Sequence, residues 1–184
     1  VVPSPGNMNG NNIVDAEDRF RNNLLNKTFV KNYTAANVVP GSYIRWRTDI
    51  SLTQDGEEVR ANGIYSQYEY LKTMGISLVA GRDFPGNATD TAYVVLNESA
   101  VKLLELESSE EVLNRSIFVD GRRRTVIGIM EDYHHENLKE DIAPIILKAR
   151  ESQFSYFFLK LETAQIKLHM AEIERVFHDV FPGN

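Results

Sequence analysis

The C-terminal stretch FSYFFLKLETAQIKLHMAEIERVFHDVFPGN, residues 154–184, decides the fold class of this chain. It opens with FSYFFLKLE, a dense aromatic and apolar run of strand length. Thr163 can then cap a helix that Pro182 and Gly183 end. Apolar residues recur along this helix at spacings of four and three: Ile166, Met170, Ile173, Phe177 and Val180. The segment therefore predicts a strand followed by a helix. The stripe predicts that this helix packs on the protein core, which is favoured over the alternative that it lies in the groove of a partner.

The N-terminal end carries the same two elements in reverse order. VVPSPGNMNGNNIVD, residues 1–15, indicates a truncated strand end followed by a loop. Asp15 can cap a helix, and FVKNYTAANVV, residues 29–39, predicts a strand that Pro40 and Gly41 end. Terminal pieces of this kind pack together as one α/β layer, with the intervening segment inserted as a second lobe.

The intervening segment is mainly β. Asp55-Gly56 and Asp120-Gly121 each lie between apolar runs, and Asp-Gly is a strong signal for a tight hairpin. The sequence therefore predicts an α+β fold with two lobes. Lobe A comprises approximately residues 1–40 and 152–184, and lobe B approximately residues 41–151.

Two short helices are predicted within the inserted segment. Ser66 and Glu69 have the spacing of a capping box, which starts a helix that Gly75 ends in the left-handed conformation. Asn97 stands where its side chain can cap a second helix, ESAVKLLEL.

Composition excludes several classes of protein. The 184 residues are 42% hydrophobic and 25% charged, which is typical of a soluble globular domain. The net charge of −6 argues against nucleic acid as a partner, because nucleic-acid binding needs clustered cations. Cysteine is absent, which excludes a disulfide framework and a thiol nucleophile. No apolar run approaches the length of a membrane span, and Val1 opens the chain without a signal peptide.

The segment EDYHHENLKED, residues 131–141, raises the question of a metal or acid–base site. Its two histidines, His134 and His135, are adjacent, and adjacent side chains diverge on both strands and helices. A zinc site needs three or four converging ligands, so a structural turn is favoured over a metal site. General acid–base catalysis by Asp132 and His134 is likewise a minor alternative.

Other catalytic and cofactor signatures are lacking. The chain has no G-x-S-x-G elbow, H-E-x-x-H motif, Walker A loop or G-x-G-x-x-G fingerprint, so we expect no catalytic residues and no cofactor. Gly81 to Phe84, with sequence GRDF, predicts a structural turn in which Phe84 points inward. An exposed Arg82 that binds an acidic partner is the alternative.

Several motifs occur in an order that resembles a known family. They are Pro40-Gly41, YLKTMGISLVAGRDF at residues 70–84, VVLNESAVKLL at 94–104, VIGIMEDYHHENLKEDIAPIIL at 126–147, and the terminal strand and helix. The chain resembles the extracytoplasmic core domain of MacB/FtsX-type ABC transporter permeases, particularly the form common in Bacteroidota, from about Phe20 to its end.

The resemblance assigns structural or hinge roles to a set of motif residues: Pro40, Gly41, Gly81, Arg82, Asp83, Phe84, Asn97, Glu98, Asp132, Tyr133, His134 and Pro144. In this family a strand commonly leads into Asp-aromatic-His, which Asp132-Tyr133-His134 match. His135 departs from the family, in which an aromatic residue is frequent at this place.

The resemblance also implies a function and a location. Similar domains are non-catalytic, lie on the periplasmic side of the inner membrane between two transmembrane helices, and pair with a second permease domain. They transmit movement driven by a cytoplasmic ATPase to periplasmic cargo or an adaptor protein. Two alternatives stay open, namely a free periplasmic solute-binding module and, third, a metal-dependent hydrolase that uses His134 and His135.

Overall fold

The structure is a computed structural model that describes residues 1–5, 11–86, 90–106, 108–136, 141–150 and 154–183. The α-helices are α1 (Asn11–Leu25), α2 (Tyr70–Met74), α3 (Glu98–Leu103), α4 (Ser109–Val112) and α5 (Ile166–Val180). The strands are β1 (Val2–Pro3), β2 (Val30–Ala36), β3 (Arg47–Ser51), β4 (Val59–Ser66), β5 (Leu78–Gly81), β6 (Tyr93–Asn97), β7 (Ser116–Val119), β8 (Arg122–Met130), β9 (Ile145–Ala149) and β10 (Tyr156–Leu161).

Six strands of the inserted segment close into a barrel. Their order is β4-β3-β7-β8-β6-β9, and the ring closes because β9 also pairs in parallel with β4. Apolar side chains from these strands fill the interior, including the fully buried Ile50, Leu96, Ile117 and Ile146. A closed barrel has no free edges within the ring, so its shape is fixed by the full set of strand pairings.

The two chain ends share a separate core. Strand β10 pairs antiparallel with β1 on one side and with β2 on the other, and helices α1 and α5 pack against them. Phe20 from α1 lies against Phe157 of β10 and Phe181 after α5, with ring centroids 5.0 and 5.4 Å apart. The helix–strand and strand–helix layout expected from the termini is confirmed.

A short strand contact and a shared apolar cluster link this terminal layer to the barrel, and the cluster includes Phe158 of β10 and Ile64 of β4. Strands β2 and β4 meet at a single residue pair, Ala36 with Ser66. Hydrogen bonds from Asn37 N to Tyr65 O (3.0 Å) and from Gln67 N to Ala35 O (2.8 Å) extend the contact.

Both predicted hairpins are present. Strands β3 and β4 pair antiparallel around Asp55-Gly56. The turn between β7 and β8 has only two residues, Asp120 (φ 50°) and Gly121 (φ 71°). Positive φ at both positions defines the turn type whose twist matches that of the flanking strands.

Three predicted helix starts are wrong. Ser66 ends strand β4, and α2 begins at Tyr70 after Glu69 in the left-handed conformation. Helix α5 begins at Ile166 after a left-handed Gln165, so Thr163 does not cap it. Asp15 lies inside α1. Ser66 pairs with Ala36 in the sheet and therefore cannot cap a helix. Tertiary pairing of this kind overrides a local capping preference.

The apolar stripe of α5 is only half buried. Ile173 and Val180 lie in the core as expected, and Phe177 packs against it. Ile166 and Met170, in the first turns, are instead 42% and 48% exposed. The expectation that the whole stripe packs on the core is therefore wrong for its N-terminal half.

No helix among the described residues is long and apolar enough to cross a membrane.

Candidate functional site

The side chain of Asn97 joins three segments where β6 leads into α3. Its Oδ1 accepts hydrogen bonds from Ala100 N (3.0 Å) and Ile145 N (2.7 Å). Its Nδ2 donates to Ala143 O (3.0 Å) and to Asp132 Oδ1 (2.7 Å). Asn97 is fully buried. Its side chain caps α3, as the sequence predicts, and it also holds the start of β9 and the segment after β8 in place.

Asp132 closes the same junction from the other side. Its Oδ1 also accepts from Ser99 N (2.9 Å), its Oδ2 accepts from Ser99 Oγ (2.8 Å), and its own N–H donates to Glu98 Oε2 (3.1 Å). These bonds tie the exit of β8 to the first turn of α3. Because both carboxylate oxygens are engaged within the fold, this geometry gives Asp132 a structural role.

The two adjacent histidines point into different surroundings. His134 is exposed, whereas His135 is only 4% exposed and packs edge-on against Tyr133, with ring centroids 5.8 Å apart. The Tyr133 hydroxyl lies 3.2 Å from His135 Nδ1, and His135 Nε2 has no partner among the described residues. The imidazoles thus diverge, as adjacent side chains were expected to.

Burial governs the titration of this cluster. It lowers the pKa of His135, and the nearby Glu136 opposes the shift by a smaller amount. Burial likewise raises the pKa of Tyr70 to about 12 and raises the pKa of Tyr133 well above the ordinary value. At neutral pH these side chains are therefore uncharged, because burial disfavours their charged forms.

This turn also clamps the loop that precedes β3. Gly41 N donates to His135 O (2.6 Å) and Ile44 N donates to Glu136 Oε1 (2.8 Å). Gly41 has φ 87°, where a side chain is disfavoured, and the exposed Pro40 stands before it. Ile44 is fully buried, which anchors the loop from within.

The clamped loop presents aromatic side chains that sequence reasoning missed. Tyr43 and Trp46 are 63% and 57% exposed. The Arg47 guanidinium lies 5.8 Å from the Tyr43 ring centre and donates to its hydroxyl (3.2 Å). The alternation of aromatic residues and arginines in SYIRWR, residues 42–47, was the available signal, since these types are enriched in protein interfaces.

The GRDF turn, residues 81–84, has Phe84 in the core and the Arg82 side chain in solvent. Gly81 has φ 76°, and Arg82 N donates to Ile127 O (2.9 Å). Asp83 Oδ1 accepts from Phe84 N (2.8 Å), and Phe84 is buried. The exposed Arg82 guanidinium lies 5.3 Å from the centre of the Tyr93 ring.

A buried lysine on the barrel is a further feature that the sequence did not reveal. Lys148 Nζ donates to Thr48 Oγ1 (2.7 Å) and to Asp120 Oδ2 (3.0 Å), and lies 4.3 Å from the Tyr65 ring centre. Lys148 thus ties β9 to β3 and to the β7–β8 turn.

Pro144 lies just before β9. Its carbonyl oxygen accepts a hydrogen bond from Asn62 N of β4 (2.8 Å).

The part of the chain that the structure describes forms no assembled metal site. Within the described ranges, no group of three or more His, Asp and Glu side chains is placed to hold an ion. The cavity beside His135 measures about 30 Å³, room for one water molecule and too little for a substrate. Asp132, His134 and His135 are close together in the sequence, but their side chains do not point toward a common position.

The fold is an α+β domain of the kind found outside the membrane in transporter permeases. The sequence profile of the MacB-like periplasmic core domain matches residues 2–176, and the chain belongs to that family. A search of curated proteins gives no significant match.

Solved structures share the fold at low sequence identity. The periplasmic region of MacB from Actinobacillus actinomycetemcomitans is 16% identical, with a TM-score of 0.62 over 88% of this chain and 72% of that chain. The extracellular domain of the noncanonic ABC-type transporter YknZ from Gram-positive bacteria is 16% identical, with a TM-score of 0.63 over 94% and 90%. A domain of a permease-like protein from Porphyromonas gingivalis is 15% identical, with a TM-score of 0.55 over 85% and 76%. The expected family and fold class are confirmed.

Proposed function

We propose that this domain is a non-catalytic transmitter of movement in an ABC transporter permease. It would be tethered on the periplasmic side of the inner membrane by transmembrane helices of its own polypeptide and would act with a cytoplasmic ATPase and a paired permease domain. Membership in the family of periplasmic core domains is the observation that carries the proposal. Its output would be a change in the position of a periplasmic cargo or adaptor protein.

The packing of the terminal layer against the barrel gives this proposal a mechanical basis. The terminal layer and the barrel each have an apolar core, and a third apolar cluster joins them beside the short β2–β4 contact. This cluster includes Phe158 of β10 and Ile64 and Leu147 of the barrel. We assign lobe A to about residues 1–40 and 152–184 and lobe B to about 41–151. The motif residues at the Asn97–Asp132 junction and the Gly41 clamp would keep the barrel rigid, so that force applied at the chain ends moves it as one body.

Distance measurement in the assembled transporter tests this function. A spin label is placed at Arg60 on the barrel, whose side chain is 77% exposed. The distance between the two copies is then measured by pulsed electron paramagnetic resonance with and without ATP. We expect a shift of several ångströms, on the order of domain motions in hinge and shear transitions.

A second label pair within one domain is the matched control. Arg60 and Arg175 lie on the barrel and on α5, and both side chains are exposed. If the domain moves as one body, their separation stays constant while the distance between copies changes. An unchanged distance between copies in a transporter that hydrolyses ATP would contradict the proposed function.

A free solute-binding module remains the second candidate because the surface carries an open apolar groove of about 730 Å³ beside α5. That volume suits a small apolar ligand. Titration of the parent protein with a fluorescent apolar probe distinguishes the two functions. Saturable binding at one site per domain in the intact protein would favour the solute-binding function.

A further inference from the structure

The open groove lies between β1 and the first turns of α5. Apolar side chains from both elements line it: Val1, Val2, Ile166, Met170, Ile173 and Phe177. Val1, Ile166 and Met170 are each more than 40% exposed, while charged residues such as Lys167 and Glu174 stand at its border. An exposed apolar patch rimmed by polar residues marks a surface that another element covers.

The groove runs beside an incompletely paired strand. Strand β10 extends from Tyr156 to Leu161, but β1 pairs only with Tyr156 and Phe157. Ser4 N donates to Ser155 O (2.9 Å), so the backbone groups of Ser155 face β1. Backbone N–H and C=O groups of every second residue point to the same side of a strand, so those of Leu159 also face this edge. Among the described residues, no strand pairs with this edge beyond Phe157. Such an edge readily accepts another strand.

We propose that the residues immediately before Val1 in the parent polypeptide continue β1 along β10 and cover the apolar groove. The inference rests on the proposed function, in which a membrane segment is joined to the N-terminal side of this domain. The occupant is argued from continuity, because β1 already occupies the first two positions of the same edge in antiparallel register. A two-residue strand is marginal by itself, and lengthening it needs no new loop.

The register specifies which upstream residue meets which position of β10. Val2 is opposite Phe157, so Val1 is opposite Phe158 and the first residue upstream is opposite Leu159. The second and third upstream residues are opposite Lys160 and Leu161. Leu159 and Leu161 pack against the helical core, whereas Lys160 is exposed. The first and third upstream residues therefore face α5 and are expected to be apolar.

Cysteine crosslinking in the membrane-embedded parent permease tests the register. Residues 1–184 contain no cysteine, so two introduced cysteines have no competitor within this domain. One cysteine replaces the second residue upstream of Val1 and the other is Lys160→Cys. These positions form a non-hydrogen-bonded antiparallel pair, in which Cα atoms are about 4.5 Å apart and within disulfide range. We expect an intramolecular disulfide after mild oxidation.

Two matched pairs control the crosslink. Pro3→Cys with Tyr156→Cys reports the pairing that already exists and should crosslink. The same upstream cysteine with Leu161→Cys places the side chains on opposite faces and should not. As a second readout, hydrogen exchange at the Leu159 amide should be slower in the parent protein than in residues 1–184 alone, by at least about tenfold.

The possible failures are distinct. A free upstream cysteine together with a formed Pro3–Tyr156 control disulfide overturns the inference, as does a crosslink found only between molecules, which would assign the edge to a second copy. Fractionation of the parent protein tests the tether separately. A soluble parent protein contradicts the proposed function, whereas failed crosslinking in a membrane-bound one contradicts only the strand extension.

Discussion

The Asn97 side-chain amide donates to the Asp132 carboxylate across 2.7 Å, joining two motifs that lie 35 residues apart in the chain. Through this bond the cap of α3, the exit of β8 and the start of β9 become one polar junction. The same junction precedes residues 133–136, in which His135 is buried and His134 is exposed.

Replacing Asp132 tests the strength of this junction. In Asp132→Ala the Asn97 Nδ2 and the Ser99 N–H each lose an acceptor. A part-buried donor left without a partner is costly, so the free energy of unfolding should fall by about 2 to 3 kcal/mol. Urea denaturation of the isolated domain measures it. Glu57→Ala, at an exposed position, is the control and should change it by less than about 0.5 kcal/mol. Equal effects of the two substitutions would contradict the assigned role.

His135 should make the domain sensitive to mild acid. Burial lowers its pKa in the folded state below the unfolded value of about 6.5. The unfolded chain then binds the proton more readily, so the stabilising contribution is complete above about pH 6.5 and is lost as the pH falls through the folded-state pKa. His135→Phe should flatten the dependence of the free energy of unfolding on pH between about 6.5 and 5.

The adjacent histidine provides the control for that experiment. His134→Phe changes an exposed imidazole and should leave the pH dependence of the wild type in place. Denaturation midpoints measured at several pH values for the three proteins decide the matter. The assignment is wrong if His134→Phe, rather than His135→Phe, removes the acid-dependent loss.

A pair of glycines separates backbone strain from steric exclusion. Gly81 and Gly121 both have positive φ, but a Cβ at Gly81 would overlap Ile127 O and the Leu113 side chain, whereas Gly121 has open space. Gly121→Ala should cost about 1 kcal/mol from the backbone conformation alone. Gly81→Ala should cost at least about 1 kcal/mol more because the β5–β8 contact must shift. Similar thermal unfolding midpoints for the two variants would contradict this account.

Lys148 allows a test of whether its buried charge stabilises the barrel. Its ammonium group has good hydrogen bonds but has lost most of its hydration. The free energy gained from these bonds and the free energy lost by dehydration nearly cancel. Lys148→Met keeps most of the side-chain volume and should change the free energy of unfolding by less than about 1.5 kcal/mol. Lys148→Ala leaves a cavity and should cost about 2 kcal/mol or more. A loss in Lys148→Met as large as the loss in Lys148→Ala would show that the charge dominates.

Interactions between close neighbours in sequence were predicted most successfully. The Asp120-Gly121 turn needs two adjacent positive φ angles, and the Asn97 cap needs an amide three residues away, so both follow from short-range geometry. The predicted caps at Ser66 and Thr163 failed because pairing with β2 and left-handed residues at Glu69 and Gln165 moved the helix starts.

The sequence by itself determined the α+β class, the terminal helix and strand pairs, the hairpins and the Asn97 cap, because each depends on residue types within one or two turns of chain. Only the tertiary structure decided the closure of the barrel, since the β4–β9 pairing joins segments that the sequence places far apart. It also decided that His135 rather than His134 is buried, and that Ile166 and Met170 lie in the open. Burial is a property of what packs against a side chain, and that depends on the whole set of long-range contacts.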